Sequence, residues 1–299
     1  MASMRDIKRR KESIQSTQQI TKAMKLVATV KLQRAKTRAE NAKPYFIKTQ
    51  ETIRSIMKRS GDLDHPYLKS NGCPKKAVIV ITSNRGLAGG YNSNVVKQLA
   101  DHGLLPENTV IYGIGRKGID YLSRRGYQIV SDDSDMINEP LVSDAVEMTD
   151  KILEAYNKGE IGEIYLAYTF FKNTVAHIPM MTRLLPVDIQ PEDTEAAGSQ
   201  DEESGSEDKK SDRNTPMNYE PEAEEALGML IPRYLGSVIY GAFIEAIASE
   251  NGARMQAMDA ATTNAEEMIA KLSLAYNRAR QGAITQELTE IISGAEALN

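Results

Sequence analysis

Apolar side chains recur on a helical period through the first sixty residues of the chain. No glycine occurs before Gly61, and Ser3 followed by Asp6 is similar to a capping box, which marks a helix start. The pattern predicts one N-terminal helix over residues 1–60, about 85 Å long, with Pro44 as a point of bending. The apolar positions that define it are Ile7, Ile14, Ile20, Met24, Val27, Ala35 and Ala39.

The middle of the chain changes to the shorter period of β-strands. Apolar and β-branched runs predict strands at 77–82, 109–112, 127–130, 163–171 and 180–189. Helical patterns lie between them, at 92–102, 118–124 and 141–157. Strands that alternate with helices predict a Rossmann-like α/β domain over residues 75–190, with a mostly parallel sheet covered by helices on both faces.

The last part of the chain, residues 221–299, predicts a second long helix. Pro221 with Glu222, Glu224 and Glu225 suits a helix start, and Pro232 predicts a kink. From Met255 to Ala283, small and apolar residues follow the 3-4 spacing of a coiled coil. We expect this helix to pair antiparallel with the N-terminal one, through Met24, Val27 and Ala35. A two-helix rod leaves much side-chain surface uncovered, so we expect something to surround it.

Charge divides the chain into unlike parts. Residues 1–60 hold 16 Lys and Arg against four Asp and Glu, whereas residues 192–213 hold nine acids against three bases. Residues 192–216 contain no Leu, Ile, Val or aromatic residue, and their composition predicts a disordered acidic insertion. The basic N-terminal face admits a nucleic-acid binder as a weak alternative, but aromatic residues are sparse there, and an acidic protein partner is favoured.

Metal, disulfide and membrane signals are absent from the sequence. Cys73 is the single cysteine and the three histidines are scattered, so neither an internal disulfide nor a metal site is predicted. No apolar run reaches about 18 residues, so neither a signal peptide nor a membrane span is predicted. We expect no catalytic residue and no cofactor.

One motif supports a different function. "GIGRKG" has the G-x-G-x-x-G spacing of a dinucleotide site at Gly113, Gly115 and Gly118, and Asp132 follows where a ribose-binding acid belongs. It predicts an NAD-dependent oxidoreductase as the alternative function. Against it, the motif follows the second strand rather than the first, and glycines at strand-to-helix turns commonly serve the turn alone. The loop "SNRGLAGGYN" is glycine-rich as well but lacks the G-K-[ST] ending of a phosphate-binding loop.

Both ends of the chain resemble one known family. "STQQITKAMKLVATVKLQRA" and "ASENGARMQAMDAATTNAEEMIAKLSLAYNRARQGAITQELTEI" are similar to the gamma subunit of the bacterial F-type ATP synthase, its central rotor shaft. The middle agrees in "VIVITSNRGLAGGYNSNV" and "PRYLGSVIYGAFIEAIASE". The resemblance covers nearly the whole chain except the acidic insertion.

The resemblance implies a function for the rod. One copy of such a chain places its coiled coil inside a hexamer of alternating alpha and beta subunits, while its base contacts the epsilon subunit and the c-subunit ring. Proton flow turns the ring and the shaft, and the shaft drives each catalytic beta subunit through its conformations for ATP synthesis. The chain itself is then non-catalytic and is held at the cytoplasmic side of the cell membrane only through the complex.

The resemblance also implies contact residues. Met24, Arg254, Gln281 and Thr285 match positions that face the beta subunit. Tyr219 and Glu220 match positions at the foot of the shaft that approach the c ring. Lys25 departs from the family, in which a glutamate is common at this place. The family's chloroplast members carry a regulatory cysteine pair, which this sequence lacks, so dithiol control is not expected.

Overall fold

The computed structural model describes residues 4–59, 65–187 and 223–296. The predicted insertion 192–216 lies outside these ranges, as do Tyr219, Glu220 and the predicted helix start at Pro221. The helices and strands follow the predicted order, and the predicted fold class is confirmed. In chain order they are α1 Met4–Arg59, β1 Lys76–Ile81, α2 Tyr91–Asp101, β2 Thr109–Ile114, α3 Arg116–Ser123, β3 Gln128–Asp132, α4 Val142–Asn157, β4 Glu163–Phe171, β5 His177–Leu185 and α5 Ala223–Glu296.

The five strands form one sheet in the order β3-β2-β1-β4-β5. The first four of these run parallel, and only β5 is antiparallel, paired with β4 at the edge of the sheet. This last strand was predicted over 180–189, but it begins three residues earlier, at His177, and includes Pro179. An edge strand has a neighbouring strand on one side only. A proline there is tolerated, because its nitrogen can face the open side, where no ladder hydrogen bond is lost.

Helices cover both faces of the sheet, so strand β1 is buried on both sides. Ala77, Ile79 and Ile81 point to one face, where α4 and α5 pack. Val78 and Val80 point to the other face, where α2 and α3 pack. A strand buried on both faces carries a continuous apolar run rather than an alternating one, which explains the sequence "AVIVI".

Helix α5 is one continuous element with two environments. Its first half supplies core residues to the sheet, among them Leu235, Ile239 and Phe243. Its second half leaves the α/β domain and runs antiparallel to α1, as predicted. Both Pro44 and Pro232 lie inside continuous helices. At 1.5 Å per residue, the 74 residues of α5 extend over about 110 Å.

By length and composition, one helix in the described part of the chain could cross a membrane, and it is the stretch Glu224–Gly294 of α5. Its most apolar stretch is 44% buried within the structure. Ile231, Leu235 and Phe243, which contribute to this apolarity, are fully or almost fully buried. We therefore assign the apolarity of α5 to its place in the core of the α/β domain.

Candidate functional site: the helix pair and its neck

A buried pair of hydroxyl groups joins the two long helices. The Oγ1 atoms of Thr21 on α1 and Thr262 on α5 lie 2.8 Å apart, and either one can be the donor. Within its own helix, each hydroxyl also lies within hydrogen-bond distance of a carbonyl, that of Gln18 for Thr21 and that of Met258 for Thr262. These contacts satisfy two polar groups that would otherwise cost free energy inside an apolar seam.

Charged and amide groups flank this pair at the edge of the seam. Lys25 Nζ lies 2.6 Å from Asp259 Oδ1, and Gln18 Nε2 donates to Glu266 Oε1 at 2.9 Å. The lysine and aspartate side chains are 39% and 58% exposed, so water weakens their attraction. The lysine that departs from the family pattern therefore has an acidic partner within its own chain.

The α1 side of the seam differs from the predicted one. Val27 was expected to face α5 but is 58% exposed, whereas Met24 is half-buried and Ala35 is buried, as expected. Apart from Met24, the buried and half-buried positions from Ile7 to Ala35 follow a regular 3-4 spacing that includes polar and small residues, which a search for large apolar side chains passes over. These positions are Ile7, Lys11, Ile14, Gln18, Thr21, Lys25, Ala28, Leu32 and Ala35.

The α5 side of the seam agrees with the prediction over most of its length. Met258, Thr262 and Ala265 are buried, and half-buried residues continue the spacing to Ala279. Ala283, which was also expected in the seam, is exposed. Ala283 lies beyond the level of Met4, the first described residue of α1.

The register of the pair shows which α5 residue lies opposite the first described residue of α1. Gln18 lies opposite Glu266, and Met4, fourteen residues earlier, therefore lies at the level of Arg280, fourteen residues later. We call α5 residues 281–294 the tip. Every tip residue is exposed, including the four large apolar ones Ile284, Leu288, Ile291 and Ile292. Within the described residues the tip has no partner helix.

The expected beta-facing residues occupy different levels of the rod. Met24 is half-buried beside the threonine pair, whereas Gln281 and Thr285 are exposed at the tip, where Thr285 Oγ1 donates to the Gln281 carbonyl. Arg254 lies 27 positions before Gln281, which separates them by about 40 Å along the helix axis. The structure therefore does not gather these residues into one site.

We call the place where α5 leaves the α/β domain the neck: α5 residues 246–257, the loop 82–91, and the hairpin residues 169–177. Arg254 lies within it rather than on the open rod. Its guanidinium pairs with Glu250 Oε1 at 2.7 Å and donates to the carbonyls of Arg85 at 3.4 Å and Gly86 at 3.3 Å. The two charged side chains are only 12% and 14% exposed.

Other hydrogen bonds at the neck run from side chains to carbonyl oxygens on the facing element. They are Gln256 Nε2 to Thr174 at 2.8 Å, Ser249 Oγ to Thr169 at 3.1 Å, and Tyr91 Oη to Ala246 at 3.2 Å. Burial, with the Glu250 charge as a second cause, raises the pKa of the Tyr91 phenol well above its ordinary value. Tyr91 is therefore a permanent hydrogen-bond donor to α5.

A cavity of about 370 Å³ adjoins these bonds. It is lined by uncharged residues from the start of α2, from the β4–β5 hairpin and from α5, including Asn94, Thr169, His177 and Gln256. His177 Nε2 is buried without a hydrogen-bond partner in the described part of the chain, and burial lowers the pKa of this imidazole. Glycine at position 252 makes room for the ring, because a Cβ there would lie 2.3 Å from Nε2.

The glycine motif that suggested a dinucleotide site is filled by the protein itself. Gly115 has φ of 105°, and a Cβ on it would lie 2.0 Å from the Thr82 carbonyl oxygen. Gly118 donates its N–H to Thr82 Oγ1 at 2.9 Å, the bond that a pyrophosphate oxygen would need. Asp132 accepts the N–H and the hydroxyl of Ser134 in its own turn. The glycines allow the β2–α3 turn to pack against β1.

Fold and site together define a class of protein: a stalk, in which an α/β domain carries a long antiparallel helix pair with an exposed tip. Among residues 4–59, 65–187 and 223–296, no group of three or more His, Cys, Asp or Glu side chains is arranged to hold a metal ion. The family model described as ATP synthase matches residues 3–298. The chain belongs to the ATP synthase gamma chain family, and it is a non-catalytic subunit of the F-type ATP synthase.

Similar proteins agree over the full length. The ATP synthase gamma chain of Lachnoclostridium phytofermentans is 60% identical over 299 residues, with all of both chains covered. The "ATP synthase gamma chain, sodium ion specific" of Acetobacterium woodii is 44% identical and covers 99% of both chains. The family match overturns the alternative oxidoreductase prediction.

Solved structures show the same fold at lower sequence identity. A chain of the Euglena gracilis mitochondrial ATP synthase is 20% identical with a TM-score of 0.67, covering 99% of this chain and 94% of that one. A central-stalk chain from Tetrahymena thermophila is 23% identical with a TM-score of 0.56, covering 81% and 99%.

Proposed function

We propose that the helix pair is the central shaft of a rotary ATP synthase and turns inside a ring of alternating alpha and beta subunits. The observation that carries the proposal is the row of apolar residues along the rod that no other described part of the chain covers. Ile20, Leu26, Val27 and Val30 on α1 are each more than half exposed, as are Leu288 and Ile291 on the tip. Apolar surface of this extent is typical of a protein interface.

The shape of the rod supports a mechanism for driving the beta subunits. Two helices side by side are not cylindrically symmetric, and the basic residues of α1 have no counterpart of equal charge on the tip. Each rotational angle therefore presents different contacts to each surrounding subunit. Only such differential contacts can shift a catalytic subunit between its conformations for ADP and phosphate and for ATP.

We assign contacts with beta to Met24, Gln281 and Thr285, and contacts with the c ring to Tyr219 and Glu220. Gln281 and Thr285 support this assignment through their exposure at the tip. Tyr219 and Glu220 lie four and three residues before Ala223, where the described part of α5 begins. The first half of α5 contributes to the core of the α/β domain, which agrees with a place at the foot of the shaft. The α/β domain then contacts the epsilon subunit and the ring.

The proposed location follows from the assembly. One copy of the chain is held at the cytoplasmic side of the cell membrane, as a peripheral part of the complex. Ion flow through the c ring supplies the torque, and the chain carries it to the hexamer. Neither a cofactor nor a nucleic acid is needed for this role.

Reconstitution tests the proposal directly. The full chain is mixed with the alpha and beta subunits of a close gamma-chain relative's enzyme, and the products are separated by size. We expect a complex that contains one copy of the chain and hydrolyses ATP. If the complex of alpha and beta contains none of the chain at every mixing ratio, the shaft function is wrong.

A further inference from the structure

The contacts of the Arg254 guanidinium in the described part of the chain are all with other residues of the same chain. Its guanidinium is nearly buried, forms an ion pair with Glu250 one turn earlier on α5, and donates to the carbonyls of Arg85 and Gly86. We propose that Arg254 is a positioning residue that clamps the loop 82–91 to α5, and so stiffens the connection between the α/β domain and the shaft. The mechanical half of this proposal rests on the proposed function.

Apart from the contacts with Arg254, the hydrogen bonds between the loop 82–91 and other elements lie at its two ends, residues 82–84 and 90–91. Ser83 Oγ donates to the Arg85 carbonyl at 2.6 Å, and the Ser83 N–H donates to Asn92 Oδ1 at 2.9 Å, which holds the start of the loop. Beyond that point the loop is left-handed at Leu87, with φ of 64°, and again at Gly89. Leu87 is the only non-glycine residue with positive φ in the described ranges. Such a conformation persists where surrounding contacts hold it, and Arg254 supplies two of them.

The clamp lies at the junction of the α/β domain and the shaft, where torque is transmitted between them. The last core residue that α5 contributes to the α/β domain is Ala246, and Ala248 already packs against Leu32 and Ala35 of α1. Glu250 and Arg254 follow directly after this junction, at the surface where α5 leaves the domain. A contact here resists rotation of α5 relative to the α/β domain, because it acts at the surface of the domain, away from the helix axis.

Arginine is the residue type that this geometry requires. Its planar fork directs several N–H groups at once, so that one side chain can reach a carboxylate and two carbonyl oxygens. A lysine at the same place keeps the charge and can pair with Glu250, but its single ammonium cannot reach all three groups in the same geometry. We therefore expect Arg254→Lys to retain part of the clamp, and Arg254→Gln to lose it.

Hydrogen exchange of the full chain, alone and in the alpha–beta complex, measures the clamp itself. In Arg254→Gln we expect the hydrogen-bonded amides of Ser83 and Tyr91, on either side of the clamped carbonyls, to exchange at least about fivefold faster than in the wild type, with Arg254→Lys between the two. The matched control is Arg233→Gln, an exposed arginine on the same helix, which should leave these amides unchanged. Unchanged exchange in Arg254→Gln would overturn the clamp.

A second measurement follows the consequence in the complex. With a bead on the α/β domain and the hexamer held on a surface, the angular variance of the stalled rotor reports its torsional stiffness. We expect a variance at least about 1.5-fold larger in Arg254→Gln, because the loop 82–91 is no longer tied to α5. A lower hydrolysis rate with unchanged variance would identify Arg254 as a beta contact instead and would overturn the proposal.

The two measurements separate this proposal from the proposed function. Should the wild-type chain form no rotary complex, the shaft function fails, while loop exchange in the full chain alone still decides whether Arg254 acts as a clamp. Should the wild-type complex rotate while the variants match it in both exchange and variance, the clamp fails and the shaft function stands.

Discussion

At the scale of single residues, a glycine position is defined by what surrounds it. Gly115 and Gly126 both have positive φ, of 105° and 83°. At Gly126 no atom lies within 4 Å of an added Cβ, whereas at Gly115 the Thr82 carbonyl oxygen would lie 2.0 Å away. Both positions therefore have a positive φ, which would strain any residue with a Cβ, and only Gly115 also lacks space for that Cβ.

This difference predicts unequal effects of alanine at the two positions. Gly126→Ala should lower the free energy of unfolding by about 1 kcal/mol, which is the cost of a left-handed alanine. Gly115→Ala should lower it by at least about 3 kcal/mol, since strand β1 and helix α3 must also move apart. Urea denaturation followed by circular dichroism measures both. Equal losses would show that the β2–α3 turn does not depend on close approach to Thr82.

The buried His177 leads to a prediction about how the free energy of unfolding changes at low pH. Burial lowers the pKa of its imidazole below 6.5, while the unfolded chain keeps the ordinary value. Below pH 6.5 the unfolded state therefore binds more protons than the folded state, and the free energy of unfolding should fall as the pH falls towards the folded-state pKa. His177→Gln should flatten this part of the pH profile, whereas His102→Gln, at an exposed position, should leave it unchanged. A parallel decrease in all three proteins would contradict the assignment.

At the scale of elements, the coiled-coil seam is built from polar and small residues in its middle. A hydroxyl pair, Thr21 with Thr262, lies where a large apolar pair would normally pack. A single polar layer of this kind restricts which residues can face each other, because any other register leaves a buried hydroxyl unpaired. The seam is therefore specified by hydrogen bonding as well as by apolar packing.

We expect the threonine pair to give a non-additive result. Thr21→Val alone should cost about 1 kcal/mol of unfolding free energy, since it removes the hydrogen bond across the seam. Thr21→Val with Thr262→Val should recover most of that loss, because two apolar groups of the same shape can replace a hydrogen-bonded pair. Denaturation of the four proteins of this cycle gives the coupling energy. Additive losses would show that the two hydroxyls do not interact.

The flanking ion pair supports a charge-exchange experiment. Lys25→Glu would place two carboxylates together and should cost up to about 1 kcal/mol, a small value because both side chains are partly exposed. The exchanged pair, Lys25→Glu with Asp259→Lys, should restore stability, and both effects should shrink in high salt. A single variant as stable as the wild type would place Lys25 outside any contact with α5.

At the scale of the whole molecule, the sequence predicted the architecture well and its contacts less well. Strand and helix order followed from the change of period between the ends and the middle. Val27 was wrong because apolar spacing cannot reveal a seam made of threonine, alanine and a salt bridge. The motif at Gly113 to Gly118 was ambiguous because spacing does not show that Thr82, about thirty residues earlier, fills the space. The contacts of Arg254 with the loop 82–91 join residues about 170 positions apart, which no local pattern encodes.

The assembled complex tests the tip. We expect Gln281→Ala to lower the rate of ATP hydrolysis about tenfold, the effect of losing one hydrogen bond to a charged partner on a beta subunit. Gln286→Ala is the matched control: an exposed glutamine on the tip that is hydrogen-bonded to Glu290 of its own helix. Steady-state hydrolysis by complexes of equal composition measures both. Equal rates in wild type and Gln281→Ala would remove Gln281 from the beta contacts.

The continuity of α5 has a consequence for how such a protein can be divided. Leu227, Leu235 and Phe243 are fully or almost fully buried in the core of the α/β domain, yet they belong to the same helix as the exposed tip. A fragment ending near residue 190 would lose one wall of its own core and should not fold alone. The shaft and the α/β domain therefore have to evolve together. Recombination that replaced the shaft alone would also replace core residues of the α/β domain.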